Sequence, residues 1–410
     1  MNHLPIENER IGFSTRAVLF VSALLLLGNY YYLYFVGFEQ GAVEGGWQFS
    51  LIKILGLSIA FFALLSFSLR KNIQIDYFFI FVFFVLSIVL YLAKFMLIGG
   101  NDTLFLNTVI CGLPFVVFCL RRDLSRVMVF FEYCLVIIVV QIAIDTVVFL
   151  AGRSLWDNNA FIGGLGNPSS FGFVCNMLVC YVLFKRRRKP TSPFYFFILC
   201  YGVFMTSSML AFLMLFMTVA LWALSQLSFK RLVLVTVFGG VNIGFGNMVV
   251  SEHLEYKLKS AIGILDGGEG EQSASVSLRL AIHKEYIDNF FEEPIQAIFF
   301  GFNKHAYMKY DSQFLTYFSS FGFLISSLFF MVIFVVLIRS MILREHRFAF
   351  VLMLLFFFAF MTNRILDYYP VPFFMFLIMA YFYGCLSRKR ISIKNVSVSD
   401  FAESPLSDKC

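Results

Sequence analysis

Charged residues are scarce in this sequence: Asp, Glu, Lys and Arg together make up only 14% of its 410 residues, against about 25% in soluble domains. Hydrophobic residues make up 60%, and the mean hydropathy is +0.82. A water-soluble fold could not bury this much apolar surface, so the sequence predicts a protein whose solvent is the lipid bilayer. In hydrocarbon every backbone polar group needs an internal partner, which leaves α-helices or a closed barrel.

Common motifs of soluble enzymes and metal sites are also missing. The sequence contains no P-loop, no GxSxG, no HExxH and no CxxC, and its His and Cys residues show no metal-ligand spacing. None of the eight cysteines lies in the long polar connection 251–313, so no disulfide framework is predicted. We expect neither a metal nor a cofactor, and an enzyme of this kind would need an already activated, membrane-borne substrate.

The apolar runs are about 17–25 residues long and continuous, which is typical of transmembrane helices, whereas barrel strands alternate polar and apolar residues. The predicted class is therefore an all-α polytopic membrane protein. About twelve spans are expected, at residues 17–38, 49–68, 77–98, 104–120, 127–150, 168–184, 193–206, 209–226, 232–250, 314–338, 348–363 and 371–386. The segment 193–226 could instead form one long helix, which would reverse the orientation of every later span.

Lys and Arg are concentrated in alternate connections, as the positive-inside rule requires. The short connections of one set contain only Arg153 and Arg364, whereas the other set carries the basic residues at 70–71, 121–126, 185–189, 230–231, 339–347 and 388–390. Twelve spans then place both termini in the cytoplasm. The net charge of +7 belongs largely to this cytoplasmic face, so no nucleic-acid partner is expected.

The sequence divides into four parts. Residues 1–250 contain spans 1–9 with short loops, residues 251–313 form one long outward-facing loop, residues 314–390 contain spans 10–12, and residues 391–410 form a cytoplasmic tail expected to be disordered. Because long connections are commonly functional, the long loop is the segment most expected to carry chemistry.

The long loop is expected to contain two amphipathic helices, at about 251–265 and 275–291. On the second helix the spacing places Arg279, His283 and Tyr286 on one face. Such a face beside a membrane suits a phosphate-bearing substrate, because a guanidinium offers a rigid bidentate fork for phosphate oxygens. The alternative is a solvated loop helix in which Arg279 pairs with a neighbouring carboxylate.

Other candidate residues lie where the chain re-enters the apolar runs. Asp311, before span 10, could act as a general base near the interface or could cap a helix, and His305 lies in the same segment. Between spans 11 and 12, Arg364 and Asp367 are three residues apart and are expected to pair.

The loop after span 5 is polar and rich in glycine. It contains Arg153 and Asp157, and the dipeptide Asn167-Pro168 at its end predicts the start of a helix with Pro at the first helical position. An ordinary re-entry loop is the alternative to a functional one. Within the preceding span, Asp145 is ionisable and is therefore a functional candidate by default.

The order of these features resembles the O-antigen ligase and polymerase superfamily, most closely its polymerase branch. The shared pattern includes about twelve spans, an Asn-Pro segment that opens span 6, and one long loop before span 10. Inside the long loop the resemblance rests on a short series of residues, namely Ser275, Arg279, Pro294, Gly301-Phe302-Asn303, Asp311-Ser312 and Gly322.

The resemblance implies a GT-C-like membrane glycosyltransferase that uses undecaprenyl-diphosphate-linked oligosaccharides at the periplasmic face of the bacterial inner membrane, without metal or nucleotide. Arg279 matches the family's loop arginine and would bind the diphosphate. Between spans 7 and 8 the family often has Ser-Arg, whereas this chain has Ser207-Ser208-Met209. Arg153 or Arg364 would supply the missing cation.

The resemblance also directs the remaining predictions. The candidate catalytic residues are Asp311, His283 and His305, and the candidate glycan-binding residues are Tyr286, Asn303 and Asp157. Asp311 stands where the ligase branch tends to have a His, which favours a polymerase of repeat units over a ligase that transfers glycan to lipid A-core. A flippase or other transporter of lipid-linked oligosaccharides is the alternative from another class. A chain-length regulator and a flippase of the same pathway are the expected partners.

Overall fold

The computed structural model describes residues 12–28, 47–64, 75–98, 111–112, 125–153, 156, 159–186, 189–225, 284–302, 312–343, 346–383 and 385. All regular secondary structure in these ranges is helical. Two of the helices, Arg126–Leu150 and Phe323–Ile342, are long and apolar enough to cross a membrane, and several shorter helices are also apolar. Described segments that are helical and largely apolar are what a helical membrane protein requires.

In chain order the described helices are α1 (Phe13–Leu27), α2 (Trp47–Leu64), α3 (Ile75–Ile98), α4 (Ser125–Leu150), α5 (Pro168–Phe184), α6 (Ser192–Met205), α7 (Met209–Leu224), α8 (284–292), α9 (Pro294–Phe299), α10 (Gln313–Phe321), α11 (Phe323–Ile342), α12 (Arg347–Thr362) and α13 (Val371–Tyr383). The predicted spans that fall within described ranges coincide with helices, with one exception described below. Span 232–250, nearly all of span 104–120 and the predicted loop helix 251–265 lie outside the described residues.

The chain reverses between α6 and α7, so residues 193–226 do not form one long helix. Ser207 between them has a φ of 50°, which ends the first helix. Both helices pack against α5, where the Asn176 side chain donates to the Ala211 carbonyl at the start of α7 (2.8 Å). At the far end of α7, the Arg347 guanidinium donates to the Ser225 carbonyl. The prediction of two separate helices is therefore confirmed.

The two ends of the helix bundle differ in chemistry. At one end, Arg126 donates to the Ala63 carbonyl (3.1 Å); we call this the basic end, defined by Arg126, Arg186, Lys189 and Arg347. The opposite end, which we call the polar end, is defined by the loops 159–167 and 363–370. The helices α1 and α4 run toward the polar end, since Leu27 at the end of α1 accepts from Gln141 of α4, which also binds the 159–167 loop. The helix α2 runs the other way, because Ala63 near its end accepts from Arg126 at the basic end.

An ion cluster joins three elements at the basic end. The Glu132 carboxylate of α4 accepts from Arg186 Nε (2.9 Å) and Lys189 Nζ (2.7 Å) and from the Tyr181 hydroxyl of α5 (3.0 Å). The Arg186 guanidinium also donates to Thr191 Oγ1 (2.7 Å) and is largely buried. Because a buried guanidinium needs a counter-charge, Glu132 fixes the α5–α6 connection against α4.

We expect Glu132→Gln to destabilise the protein by about 2 kcal/mol, less than the ~3–5 kcal/mol of a fully buried pair because this carboxylate is partly exposed. The measurement is unfolding of the purified protein in one detergent, followed as the apparent melting temperature or the midpoint of a denaturant titration. Glu292→Gln, at an exposed acidic residue of α8, is the matched control and should leave both values unchanged. Equal stability of the two variants would contradict a structural role for the cluster.

Predicted span 314–338 is wrong as an uninterrupted helix, because the chain turns at Gly322 and forms a hairpin. The Phe314 ring of α10 packs at a tilt against the Phe330 ring of α11 (ring centroids 4.4 Å), and the Ser326 hydroxyl donates to the Tyr317 carbonyl (2.7 Å). Such contacts bring α10 back alongside α11. Gly322 has φ 79° and ψ 162°, a conformation that is essentially restricted to glycine. Both arms are apolar, so hydropathy could not distinguish the hairpin from one helix.

Candidate functional site

The returning part of the long connection, α8 and α9, packs over the turn of the α10–α11 hairpin. The backbone N–H of Phe302 donates to the Ser319 carbonyl (2.7 Å), and α9 contacts both arms of the hairpin. The Phe302 ring in turn meets the Tyr286 ring edge-on (ring centroids 5.4 Å, interplanar angle 80°). The described part of the long connection, 284–302, is thereby attached to the hairpin.

Two glycines make this attachment possible. A Cβ at Gly301 (φ 73°) would lie 2.2 Å from the Ser319 carbonyl oxygen and 3.0 Å from the Gly322 nitrogen. A Cβ at Gly322 would lie 2.8 Å from the Phe299 carbonyl carbon. Each glycine therefore faces backbone of the other segment, which cannot move aside as a flexible side chain can. The sequence pattern identified both glycines, and the structure shows why a side chain is excluded from each.

Gly301→Ala and Gly322→Ala should each destabilise the protein, by at least about 1–3 kcal/mol from backbone strain alone, and the collisions with backbone should detach α9 from the hairpin. Limited proteolysis of the reconstituted protein measures the detachment as faster cleavage within 284–302. Gly12→Ala is the matched control, because Gly12 has an ordinary φ of −57° and open space around it. Cleavage of the two variants at the control rate would show that the glycine contact is not needed.

A polar network lies at the foot of the hairpin, where α10 begins. The Gln313 amide donates to Asp367 Oδ1 (3.1 Å), and its carbonyl oxygen accepts from the Leu366 N–H (2.8 Å). Arg364 Nε lies 3.7 Å from Asp367 Oδ2, so the predicted pairing of these two residues is confirmed. Gln313 is fully buried and fixes the connection between α12 and α13 through both its polar atoms.

The network is recessed from the end of α11. Phe314 lies beside Phe330, which is seven residues after the first residue of α11 and therefore about 10 Å along its axis. Ser312 is also buried there, and its hydroxyl donates to the Phe360 carbonyl of α12 (3.1 Å). The Asp367 carboxylate holds the Arg364 guanidinium. The Arg364 side chain is nevertheless 27% exposed, so it reaches the surface of the recess.

Tyr369 attaches the same connection to α2. Its hydroxyl donates to the Lys53 carbonyl (3.2 Å), and the Lys53 ammonium lies 5.4 Å from the centre of the tyrosine ring. Burial raises the pKa of the Tyr369 hydroxyl well above its usual value, so the group stays protonated and remains a hydrogen-bond donor. The loop that carries Arg364 is thus fixed at both of its ends.

The other loop of the polar end, 159–167, is held by polar residues from within α4. Asp145 accepts from the Ile162 and Gly163 N–H groups (3.2 and 2.8 Å), and Gln141 accepts from Gly164 (3.1 Å). Its amide also donates to the Leu27 carbonyl at the end of α1 (2.9 Å). Such backbone groups have no water to bind inside the bundle, so these ionisable and amide side chains have structural roles here.

The predicted helix start at Asn167-Pro168 is confirmed. The Asn167 side chain caps α5 by accepting from the Ser169 and Ser170 N–H groups (2.9 and 3.2 Å). Pro168 is the first residue of α5. For α10 the capping position is held by Ser312 and not by Asp311, the residue for which the sequence left a capping role open.

The structure places only three of the predicted site residues. Arg153 is exposed and follows α4 at the polar end, and Arg364 lies in the recess. Tyr286 is buried in a small cluster with Ala297 and Phe302, and its assignment to glycan binding remains a prediction. The other candidates lie outside the described residues: Arg279, His283, Asn303, His305, Asp311 and Asp157.

Gln313 is the residue that the sequence reasoning missed. Its only sequence signal is its place directly after Asp311-Ser312 at the start of an apolar run. Among the residues that the structure describes, no three His, Cys, Asp or Glu side chains come together as a metal site. No protein-family model and no curated protein sequence matches the chain.

Proposed function

We propose that this protein is a membrane glycosyltransferase that polymerises undecaprenyl-diphosphate-linked oligosaccharide repeat units into a surface polysaccharide, an O-antigen or a capsule. It acts with about twelve spans and a GT-C-like fold in the bacterial inner membrane. Its polar end faces the periplasm, and both termini are cytoplasmic. A ligase of the same architecture and a lipid-linked oligosaccharide flippase are the alternatives.

The observation that carries this proposal is the recessed Arg364–Asp367–Gln313 network at the foot of the α10–α11 hairpin. It joins the connection between α12 and α13 to the first turn of α10, directly after Asp311-Ser312 in the sequence. A cation held at the end of an apolar bundle suits a substrate with a lipid tail and an anionic diphosphate. The lipid would lie along the helices, and the diphosphate would meet Arg364.

Glycosyl transfer from such a donor requires that the enzyme position the two glycans and stabilise the negative charge of the leaving diphosphate. The bond between the sugar and the diphosphate is already activated, and it breaks as the acceptor hydroxyl attacks the anomeric carbon. The diphosphate leaves with the bonding electron pair, and Arg364, together with Arg279 and Arg153, stabilises its developing charge. Asp311, or a histidine of the same loop, accepts the proton of the acceptor hydroxyl. Asp367 and Gln313 orient the guanidinium and are positioning residues.

Arg364→Ala should lower the amount of long polymer about 100-fold, the usual effect of removing one charge-stabilising donor. Arg364→Lys should restore part of it, because lysine keeps the charge without the bidentate fork. The measurement is a gel of surface glycan from a strain that lacks the protein and is complemented with each variant at equal protein level. Asp367→Asn, which removes the charge that holds Arg364, should give an intermediate ladder.

Arg16→Ala is the matched control, since Arg16 is an exposed arginine in the first turn of α1, at the basic end, and should give a normal ladder. A normal ladder from Arg364→Ala would remove the residue from the site. Bare core in the strain without the protein, with long polymer on the lipid carrier, would indicate a ligase. Repeat units trapped on the cytoplasmic side would indicate a flippase.

A further inference from the structure

We propose that α8 and α9 form an interfacial segment whose exposed apolar edge is inserted among the lipid acyl chains at the polar end of the bundle. The edge consists of Ile287, Phe291, Ile295, Phe299 and Phe300, with exposed fractions of 49–75%. The inference rests on the position and the side chains of this segment alone and does not depend on the proposed glycosyl transfer.

The α8 helix has three chemically distinct faces. Tyr286 is buried against the hairpin, and Phe290 is half-buried beside it. Ile287 and Phe291 are exposed on the next face around the helix. The third face is acidic and exposed, and it consists of Glu285, Asp288 and Glu292.

Successive residues of an α-helix are rotated by about 100° around its axis. The acidic face therefore lies roughly 110° around the helix axis from the apolar edge. A helix with this division lies flat at a membrane surface, its apolar side among acyl chains and its charged side in water. Lys284 stands beside the apolar edge and is exposed, where a long cationic side chain can reach the lipid headgroups.

The segment is attached at the depth where the bilayer begins. Phe290 packs against Phe323 (ring centroids 6.4 Å), the first residue of α11. The helix α11 is one of the two long enough to cross a membrane, and its 20 residues extend about 30 Å, the thickness of the hydrocarbon core. Its two ends therefore mark the two boundaries of the hydrocarbon, and α8 and α9 lie at one of them.

The apolar edge adjoins the outer surface of α11, because α9 contacts α11 and Phe290 packs against the exposed Phe323. Exposed apolar side chains run along the whole length of that helix, namely Phe323, Leu324, Met331, Phe334, Ile338 and Met341. Contact between α9 and α11 joins the two surfaces. A surface of this kind on a membrane-spanning helix faces acyl chains, so the same chains cover the apolar edge of α8 and α9.

The test uses single cysteines labelled with an environment-sensitive fluorophore in phosphatidylcholine vesicles. Phe291→Cys and Ile295→Cys report on the apolar edge, and Asp288→Cys and Glu292→Cys report on the acidic face. Phe334→Cys, on the outer surface of α11, is the reference for a lipid-facing position. Background from the parent chain is subtracted, and each variant is first checked for an unchanged elution volume.

We expect lipids with a spin label near the glycerol to quench fluorophores at 291 and 295 at least twofold, with little quenching by aqueous iodide. Positions 288 and 292 should show the reverse pattern. Iodide quenching of all four positions alike would overturn the proposal, because the edge would then lie in water. Protection of 291 and 295 from both quenchers would also overturn it, since another protein surface would then cover the edge.

Discussion

The backbone contact between Gly301 and Gly322 is the constraint on which the polar end depends. The chain turns at Gly322 in this contact, and a side chain at either glycine would collide with backbone of the other segment. The hairpin in turn directs α10 back along α11 and buries Gln313 below the end of the helix. The recess with Arg364, and the attachment of α8 and α9 at the end of α11, both follow from this one arrangement.

Three polar side chains within the helices, Gln141, Asp145 and Gln313, form hydrogen bonds with backbone groups of loops and helix ends. Gln141 and Asp145 bind four backbone groups of the chain between them, and Gln313 holds Leu366 in the same way. Where water is excluded, an unpaired backbone group costs several kcal/mol, so these side chains give the loops fixed positions. A site whose cations lie on loops requires the loops to be fixed, because the charges must be in place before the substrate binds.

Much of this arrangement could be predicted from local signals. Asn167-Pro168 predicts a helix start, because an asparagine side chain can cap a helix and proline is tolerated at its first position. The spacing of Arg364 and Asp367 predicts an ion pair. The hairpin was missed because both of its arms are apolar, and hydropathy records neither direction nor a turn at a single glycine. The partners of Gln141 and Gln313 could not be predicted from local signals, because they lie far away in sequence and only the packing of the helices brings them together.

The proposed topology puts the polar end and the basic end on opposite sides of one membrane, and cysteine labelling in intact cells tests it most directly. Arg153→Cys and Lys284→Cys report on the polar end and Pro190→Cys on the basic end, all at exposed positions; labelling of the parent chain serves as the blank. A membrane-impermeant maleimide should label positions 153 and 284 in intact cells, and position 190 only after the cells are permeabilised. Labelling of 190 together with 153 in intact cells would contradict the account.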